Sequence, residues 1–262
     1  MPSAQLTSFD QMRSAILHAW DLKGVHHGFM SRLGGASAGP WASFNLSESV
    51  GDDPTAVRIN WEKWRAAYPA MRVARLKQVH GNTIREIGTG YDGERWSADG
   101  MVTASRGIAL GIFTADCVPI LMVDETRGVA GALHAGWRGT LADIAEAGVR
   151  AMVALGGRPH AIRAAMGPAI GSCCFEVDAD LAERFARSIS HARAHTRAGN
   201  PGKAYLDLRA IVRGQLERAG LAPVAITSVG RCTRCAADRY FSRRAAGGAT
   251  TGLQMSFIGF EA

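Results

Sequence analysis

Three apolar runs of strand length crowd the middle of the chain: Ile108 to Thr114, Val118 to Val123 and Val129 to Leu133. Turn-forming residues separate them, and runs of this kind read as buried strands. Directly after them, Gly136-Trp137-Arg138-Gly139-Thr140 leads into helical periodicity from Leu141 to Leu155, which Gly156-Gly157 ends.

The flanking sequence carries weaker signals of the same kinds. Ser31 to Pro40 is rich in Gly and Ser and reads as a functional loop or a pair of turns. Asp53-Pro54 supplies a helix N-cap and a proline for the first helical position. Val57, Trp61, Trp64 and Ala67 continue at helical spacing until Tyr68-Pro69. Arg75 to Ile87 reads as strand with a break at His80-Gly81-Asn82. The second half offers a strand at Ala161 to Met166, a Gly/Pro loop at Gly167 to Gly171 and a helix from about Asp178 to Ala194. A polar, basic loop precedes a helix from about Leu208 to Ala219, and strands at Val224 to Val229 and Gln254 to Phe260 follow. With no internal repeat and no linker long enough to divide the chain, residues 1–262 read as a single α+β domain with mixed β-sheets flanked by helices.

Composition removes several classes of function. Met1 to Trp20 lacks the basic start, unbroken apolar run and cleavage site of a secretory signal, and no stretch is apolar enough to span a bilayer. A cytoplasmic location is the expectation, and five cysteines, an odd number, argue for reduced thiols over a disulfide scaffold. The formal charge of +7 comes mostly from scattered arginines and suits an anionic small substrate as well as it suits a solvated surface. No nucleic-acid recognition motif accompanies it.

Cys117 and His134 flank the last two central runs. If Glu125 and Thr126 form a tight hairpin loop, residues whose numbers sum to 251 face one another, and Cys117 pairs with His134; a longer loop shifts that register. A neighbouring thiol and imidazole have three readings: metal ligands, a nucleophile with its base, or buried side chains without a chemical role. His80 in Gln-Val-His-Gly, Cys117 in Ala-Asp-Cys-Val-Pro and His134 in His-Ala-Gly-Trp-Arg-Gly each lie at a strand end beside turn residues, where side chains project into clefts.

The order of short motifs resembles the YfiH-like family of laccase-domain proteins along almost the whole chain. They are His27-Gly28-Phe29, Arg32 with Gly34-Gly35, Ser43-Phe44-Asn45-Leu46, Lys77-Gln78-Val79-His80-Gly81, Ala98-Asp99-Gly100, Thr114-Ala115-Asp116-Cys117-Val118-Pro119, His134-Ala135-Gly136-Trp137-Arg138-Gly139, Gly167-Pro168-Ala169-Ile170-Gly171, Cys232-Thr233 and Phe241-Ser242-Arg243-Arg244. The resemblance implies zinc bound by His80, Cys117 and His134. It also implies phosphorolysis of adenosine, inosine, guanosine and methylthioadenosine, with deamination of adenosine. One departure is Trp61, which stands after Asn60 where relatives often carry arginine.

Three protein ligands leave one position on tetrahedral zinc for water or substrate, the arrangement of a catalytic site. Asp116 is then a candidate proton carrier for deamination. Phosphorolysis needs an anion cradle, for which the Gly136 to Thr140 loop at a helix start, with Arg138 or Arg32, is the candidate. Asn45 and Gln78 are candidate ligands for ribose or base edges. Gly34-Gly35 reads equally well as a plain turn, Trp137 reads as packing, and Arg138 has a surface position as its bland alternative.

Cys232-Thr233-Arg234-Cys235 has zinc-knuckle spacing but no second pair to complete it. Cys173-Cys174, if extended, point to opposite faces, so at most one would join a site and both read as core.

Three rival functions remain in view. A copper polyphenol oxidase of the multicopper type needs His-x-His pairs, and the eight histidines include none, although copper can replace zinc at a single nitrogen and sulfur site. A metal-free hydrolase or amidase with Cys117 as nucleophile and His134 as base is the second, on a fold that resembles that of the toxin deamidases, and the family resemblance implies a peptidoglycan precursor as its substrate. It has no use for His80. A non-catalytic binding module leaves the polar cleft residues without a purpose.

Overall fold

The three central runs divide between two sheets. The structure, a computed structural model, describes residues 16–262, so most of the stretch read for a targeting signal lies outside the described residues. One sheet has the order β1 (Val25–Phe29), β13 (Gln254–Phe260), β5 (Ile108–Thr114), β2 (Arg72–Arg75), with β2 parallel to β5 and the other pairs antiparallel. The second has the order β12 (Ile226–Ser228), β8 (Arg163–Met166), β6 (Val118–Asp124), β7 (Val129–Ala135), β4 (Gly100–Thr103), β3 (Ile84–Glu86), with its two edge pairs parallel. Both sheets are therefore mixed, as the α+β reading expects.

The continuous apolar runs follow from strands that are buried on both faces. Leu110 and Ile112 of β5 share a cluster with Leu121 and Val123 of β6 and with Ala130 and Ala132 of β7, so the two sheets pack face to face. The alternate residues of β6, Ile120 and Met122, point the other way. They meet α3 (Ile144–Ala154) and α5 (Leu208–Arg218) through Val149, Met152, Ile211 and Leu216. Outside the first sheet, Trp61 and Trp64 of α1 (Pro54–Ala67) pack on Met255 and Phe257. The order is helix, sheet, sheet, helix, and each buried aliphatic or aromatic side chain contributes about 1.5–3 kcal/mol. Gly148 lets α3 lie close on β7, because a Cβ there would stand 2.6 Å from Leu133 Cδ1.

Local signals set the element ends. Asp53 accepts the Thr55 N–H and Pro54 takes the first helical position of α1. The helix expected from Leu141 to Leu155 is two helices, α2 (Trp137–Leu141) and α3. Asp143, at φ 57°, separates them and caps α3 by accepting the Glu146 N–H. The helix expected from Asp178 to Ala194 ends earlier, as α4 (Ala179–Ser188). The basic loop expected after it forms a small antiparallel sheet, β10 (Thr196–Ala198), β11 (Lys203–Leu206) and β9 (Glu176–Asp178). Arg75 to Ile87 is strand only at its two ends, in β2 and β3.

The hairpin register also differs from the sequence expectation. Asp124 pairs with Val129 and Pro119 pairs with His134, so the loop is four residues long and partner numbers sum to 253. The cause is the Asp124 side chain, which accepts the N–H groups of Thr126 and Arg127 and stabilises a wider turn. A shift of two keeps side-chain parity. Cys117, two residues before Pro119, therefore still lies diagonally across from His134.

Candidate metal centre and its cavity

Three separate turns deliver three ligand-type side chains to one place. His134 is near the end of β7, where β4 pairs alongside in the register Gly100 to Leu133. That pairing sets Asp99, the residue before β4, against His134, whose backbone N–H donates to the Asp99 carbonyl at 2.7 Å. Because β3 lies parallel to β4 with Ile84 opposite Gly100, the turn preceding β3 also reaches Asp99. Its carboxylate accepts the N–H groups of Val79, His80 and Gly81 at 3.2, 2.8 and 2.6 Å. Those bonds hold His80 at φ 63°, a left-handed conformation unusual for a non-glycine residue.

Cys117 sits in the turn between β5 and β6, next to Asp116 at φ 98°. The Asp116 side chain fixes that turn from outside, accepting the Thr233 hydroxyl at 2.6 Å and the Arg244 N–H at 2.7 Å, while its carbonyl accepts the Ile170 N–H. Gln78 ties the His80 turn to the end of β5: its amide both accepts from and donates to the backbone of Phe113, at 2.8 Å each.

The result is a cluster in which the ligand atoms of His80, Cys117 and His134 all lie within 4.8 Å of one another. The two imidazole rings meet edge to face, centroids 4.8 Å apart. Asp99 Oδ1 holds His134 Nδ1 at 2.8 Å, which turns Nε2 toward the cluster, as a carboxylate does behind a metal-binding histidine. Gly136 is necessary here, since a Cβ would stand 3.0 Å from His80 Cδ2 and 3.1 Å from Cys117 Sγ.

Electrostatics favour a thiolate. Burial pushes the Cys117 thiol up, but the His134 and His80 rings outweigh it and bring its pKa down to about 6. Burial pushes His134 the other way, and the Cys117 sulfur and Asp99 carboxylate overcome it, raising its pKa to about 9. Protein groups alone thus form a thiolate–imidazolium pair, and a divalent cation would replace the shared proton. Two imidazoles and one thiolate, oriented by a buried carboxylate, fit a borderline-soft ion such as zinc or copper.

All three residues line a cavity of about 1140 Å³. Its wall is cationic: Arg75, Lys77, Arg95, Arg243 and Arg244 contribute to it. Glu48 engages Arg75 and Arg95 at 3.0 and 2.6 Å, and the Arg244 guanidinium donates to the carbonyls of Cys174 and Glu176. Among the described residues, Lys77 and Arg243 have no side-chain hydrogen-bond or ion-pair partner. Phe113, Phe175 and Leu253 supply apolar surface.

Several residues that the sequence nominates for substrate are engaged elsewhere. Asn45 is fully buried and spends its amide on Ser47, Asp52 and the Leu253 N–H. Arg32 donates to the carbonyls of Ala42 and Ala237 and stacks on Phe241. Arg138 stacks on Trp137 at 4.2 Å in a separate depression with Arg184. None of the three lines the cavity, and α2, the helix expected to cradle phosphate, is five residues long. Gln78 and Asp116 do line it. Asp99 had no role assigned from sequence, although it lies in the quoted motif Ala98-Asp99-Gly100. Trp61, the departure from the family pattern, is buried, donates to the Leu46 carbonyl and takes Arg75 over its ring at 4.8 Å.

This layered fold with a His/Cys/His cluster in a deep cavity defines a class. Residues 26–261 match the family described as multi-copper polyphenol oxidoreductase laccase, and the chain belongs to that family. It is 42% identical over 228 residues to a Streptomyces coelicolor protein named purine nucleoside phosphorylase, covering 85% of this chain and 91% of that one. Its structure is similar to that of Bacillus licheniformis YfiH, with a TM-score of 0.88, 30% identity and coverage of 94% and 97% of the two chains. YlmD from Geobacillus stearothermophilus is similar too, at TM-score 0.85, 34% identity and coverage of 92% and 93%. The expected YfiH-like α+β fold is the observed one. No helix among the described residues is long and apolar enough to cross a membrane.

Proposed function

We propose that this single-domain chain is a cytoplasmic, zinc-dependent purine nucleoside phosphorylase acting on adenosine, inosine, guanosine and methylthioadenosine, with adenosine deaminase activity. The observation that carries this reading is the convergence of His80, Cys117 and His134 in a cavity walled by cations. Relatives named purine nucleoside phosphorylase supply the substrate class.

His80, Cys117 and His134 would hold the ion, which supplies Lewis acidity at one open coordination position. Lys77 and Arg243, without side-chain partners among the described residues, bind the phosphate dianion and raise its local concentration. Phe113 and Phe175 exclude water from the purine side of the cavity. Asp116 moves the proton: each of its oxygens accepts one protein hydrogen bond and retains a second lone pair for substrate.

The test is incubation of metal-quantified protein with adenosine, with and without phosphate. Adenine with ribose 1-phosphate, formed only when phosphate is present, is the expected product, and inosine reports the deaminase reaction. No product under either condition sinks the proposal.

A second reading rests on Asp99, which completes a Cys117–His134–Asp99 chain of the kind a thiol hydrolase or amidase uses on a substrate such as a peptidoglycan precursor. His80 separates the two. In the zinc reading His80→Ala removes the ion of the His80, Cys117 and His134 cluster together with turnover; in the hydrolase reading turnover persists. Copper in place of zinc at the same three ligands would account for a polyphenol oxidase activity.

A further inference from the structure

Four of the five cysteines gather at a second place. Cys173 and Cys174 lie on a turn after the 167–171 loop, and Cys232 and Cys235 lie on the segment that follows β12. Their sulfurs all fall within 4.8 Å of one another. The sequence expectation that Cys173 and Cys174 point apart assumes an extended strand. The segment is a turn instead, and a turn lets both thiols face the same centre.

Core packing does not explain the cluster, because Cys173 and Cys235 are exposed. Disulfides do not describe it either: Cys235 Sγ stands 3.6 Å from Cys173 Sγ and 3.4 Å from Cys174 Sγ, at non-bonded distance from both. Four sulfurs about 2.3 Å from one tetrahedral ion would be separated by roughly 3.8 Å, close to these spacings. The Gly171 N–H donates to Cys232 Sγ at 3.2 Å, a bond that favours a thiolate. Arg234, drawn to the Cys174 sulfur, supplies positive charge beside what would be a doubly negative centre.

We propose that Cys173, Cys174, Cys232 and Cys235 bind one tetrahedral zinc ion as a closed structural site, distinct from the His80, Cys117 and His134 cluster. Each thiol releases its proton on binding, so four protons leave as the ion enters. Four thiolates fill the coordination sphere and leave no position for substrate. The ion instead ties two wall segments of the cavity together. Ile170, which lines the cavity, packs on Cys174 and Cys232; Thr233 and Arg244 hold Asp116, and Arg244 also grips the Cys174 carbonyl.

The experiment counts metals by mass spectrometry in the whole protein, the double variant Cys173→Ser/Cys235→Ser and the single variant His80→Ala, and repeats the count after growth with cobalt. Both serines replace exposed thiols, which limits damage to the fold. The expected result is one zinc fewer per chain in the double variant than in the wild type. His80→Ala, independent of any folding defect in the double variant, should keep an ion whose cobalt form shows intense sulfur-to-metal charge transfer. A wild type with a single ion, indifferent to His80→Ala and lost in the double variant, supports this site while removing zinc from the other one. Equal metal content in the wild type and double variant overturns the proposal. So does a metal-free His80→Ala, iron in place of zinc, or an intact mass lacking the hydrogens of a disulfide pair.

Discussion

Asp99 Oδ1 lies 2.8 Å from His134 Nδ1, and the same carboxylate collects three backbone N–H groups from the turn that carries His80. One fully buried side chain therefore orients two of the three residues of the cluster at once. Burial works to raise its pKa, but the His134 ring and the Gly81 N–H hold it below the usual carboxylate value. Asp99→Asn keeps the shape and removes the charge. We expect metal affinity to fall by about 10–100-fold, measured by competition with a chromophoric chelator; unchanged affinity would show that Asp99 serves the turn alone.

Gly136→Ala tests the tightness of the cluster. Its φ of −76° suits alanine, so the backbone is indifferent, but the new methyl would press on His80 and Cys117 at about the closest distances side chains tolerate. Turnover should drop by an order of magnitude or more while the melting temperature stays within a few degrees. The paired measurement is kcat against thermal unfolding. A variant that loses both equally would place the effect in the fold.

His27 predicts a pH dependence of stability away from the cavity. Its Nε2 accepts the N–H groups of Ala19 and Trp20 at 3.1 and 3.2 Å, a job only the neutral ring can do. Burial, followed by the neighbouring His18 and His26, pushes its pKa from 6.5 down to about 4. The unfolded chain then binds the proton more readily than the folded one, so this contribution is fully present above pH 6.5 and is lost as pH falls toward 4. The loss amounts to about 3 kcal/mol. Urea unfolding of the wild type and His27→Gln at pH 7 and pH 4.5 checks it: the difference between the two proteins should shrink at the lower pH. A constant difference would contradict the assignment.

Long-range order was legible where side chains bury on both faces. β5, β6 and β7 announce themselves as apolar runs, and α1 through Asp53-Pro54 and its tryptophan spacing. The strands of the small sheet did not: Thr196–Ala198 is half-exposed to exposed and polar, so nothing in its composition distinguishes it from loop. The four-residue β6–β7 turn depended on one side chain, Asp124, bonding to the backbone ahead of it, a choice that pattern alone leaves open. At the site, strand-end positions drew notice to His80, Cys117 and His134, the resemblance of the motifs around them implied one ligand set, and these are the residues that converge. It could not nominate Asp99 for orientation, since that role arises from β3 and β4 both pairing beside it. Nor could it separate arginines that face the cavity from Arg32 and Arg138, because cationic side chains at turns look alike until the turns are placed.

That separation gives the last prediction. Arg243 lines the cavity without a side-chain partner among the described residues, whereas Arg32 spends its guanidinium on two backbone carbonyls far along the chain from one another. If phosphate binds among the wall cations, Arg243→Ala raises KM for phosphate by roughly 10-fold, the value of one charge-assisted contact of about 1.4 kcal/mol. Unfolding of that variant should be unaltered. Arg32→Ala behaves in the opposite way: stability falls by about 2 kcal/mol as two carbonyls lose their donors, and KM for phosphate in the folded fraction holds. Phosphate saturation curves and urea unfolding on both variants decide it. Should Arg32→Ala raise KM while Arg243→Ala leaves it alone, the anion site lies at the Gly34-Gly35 loop, and the cationic wall serves some other group of the substrate.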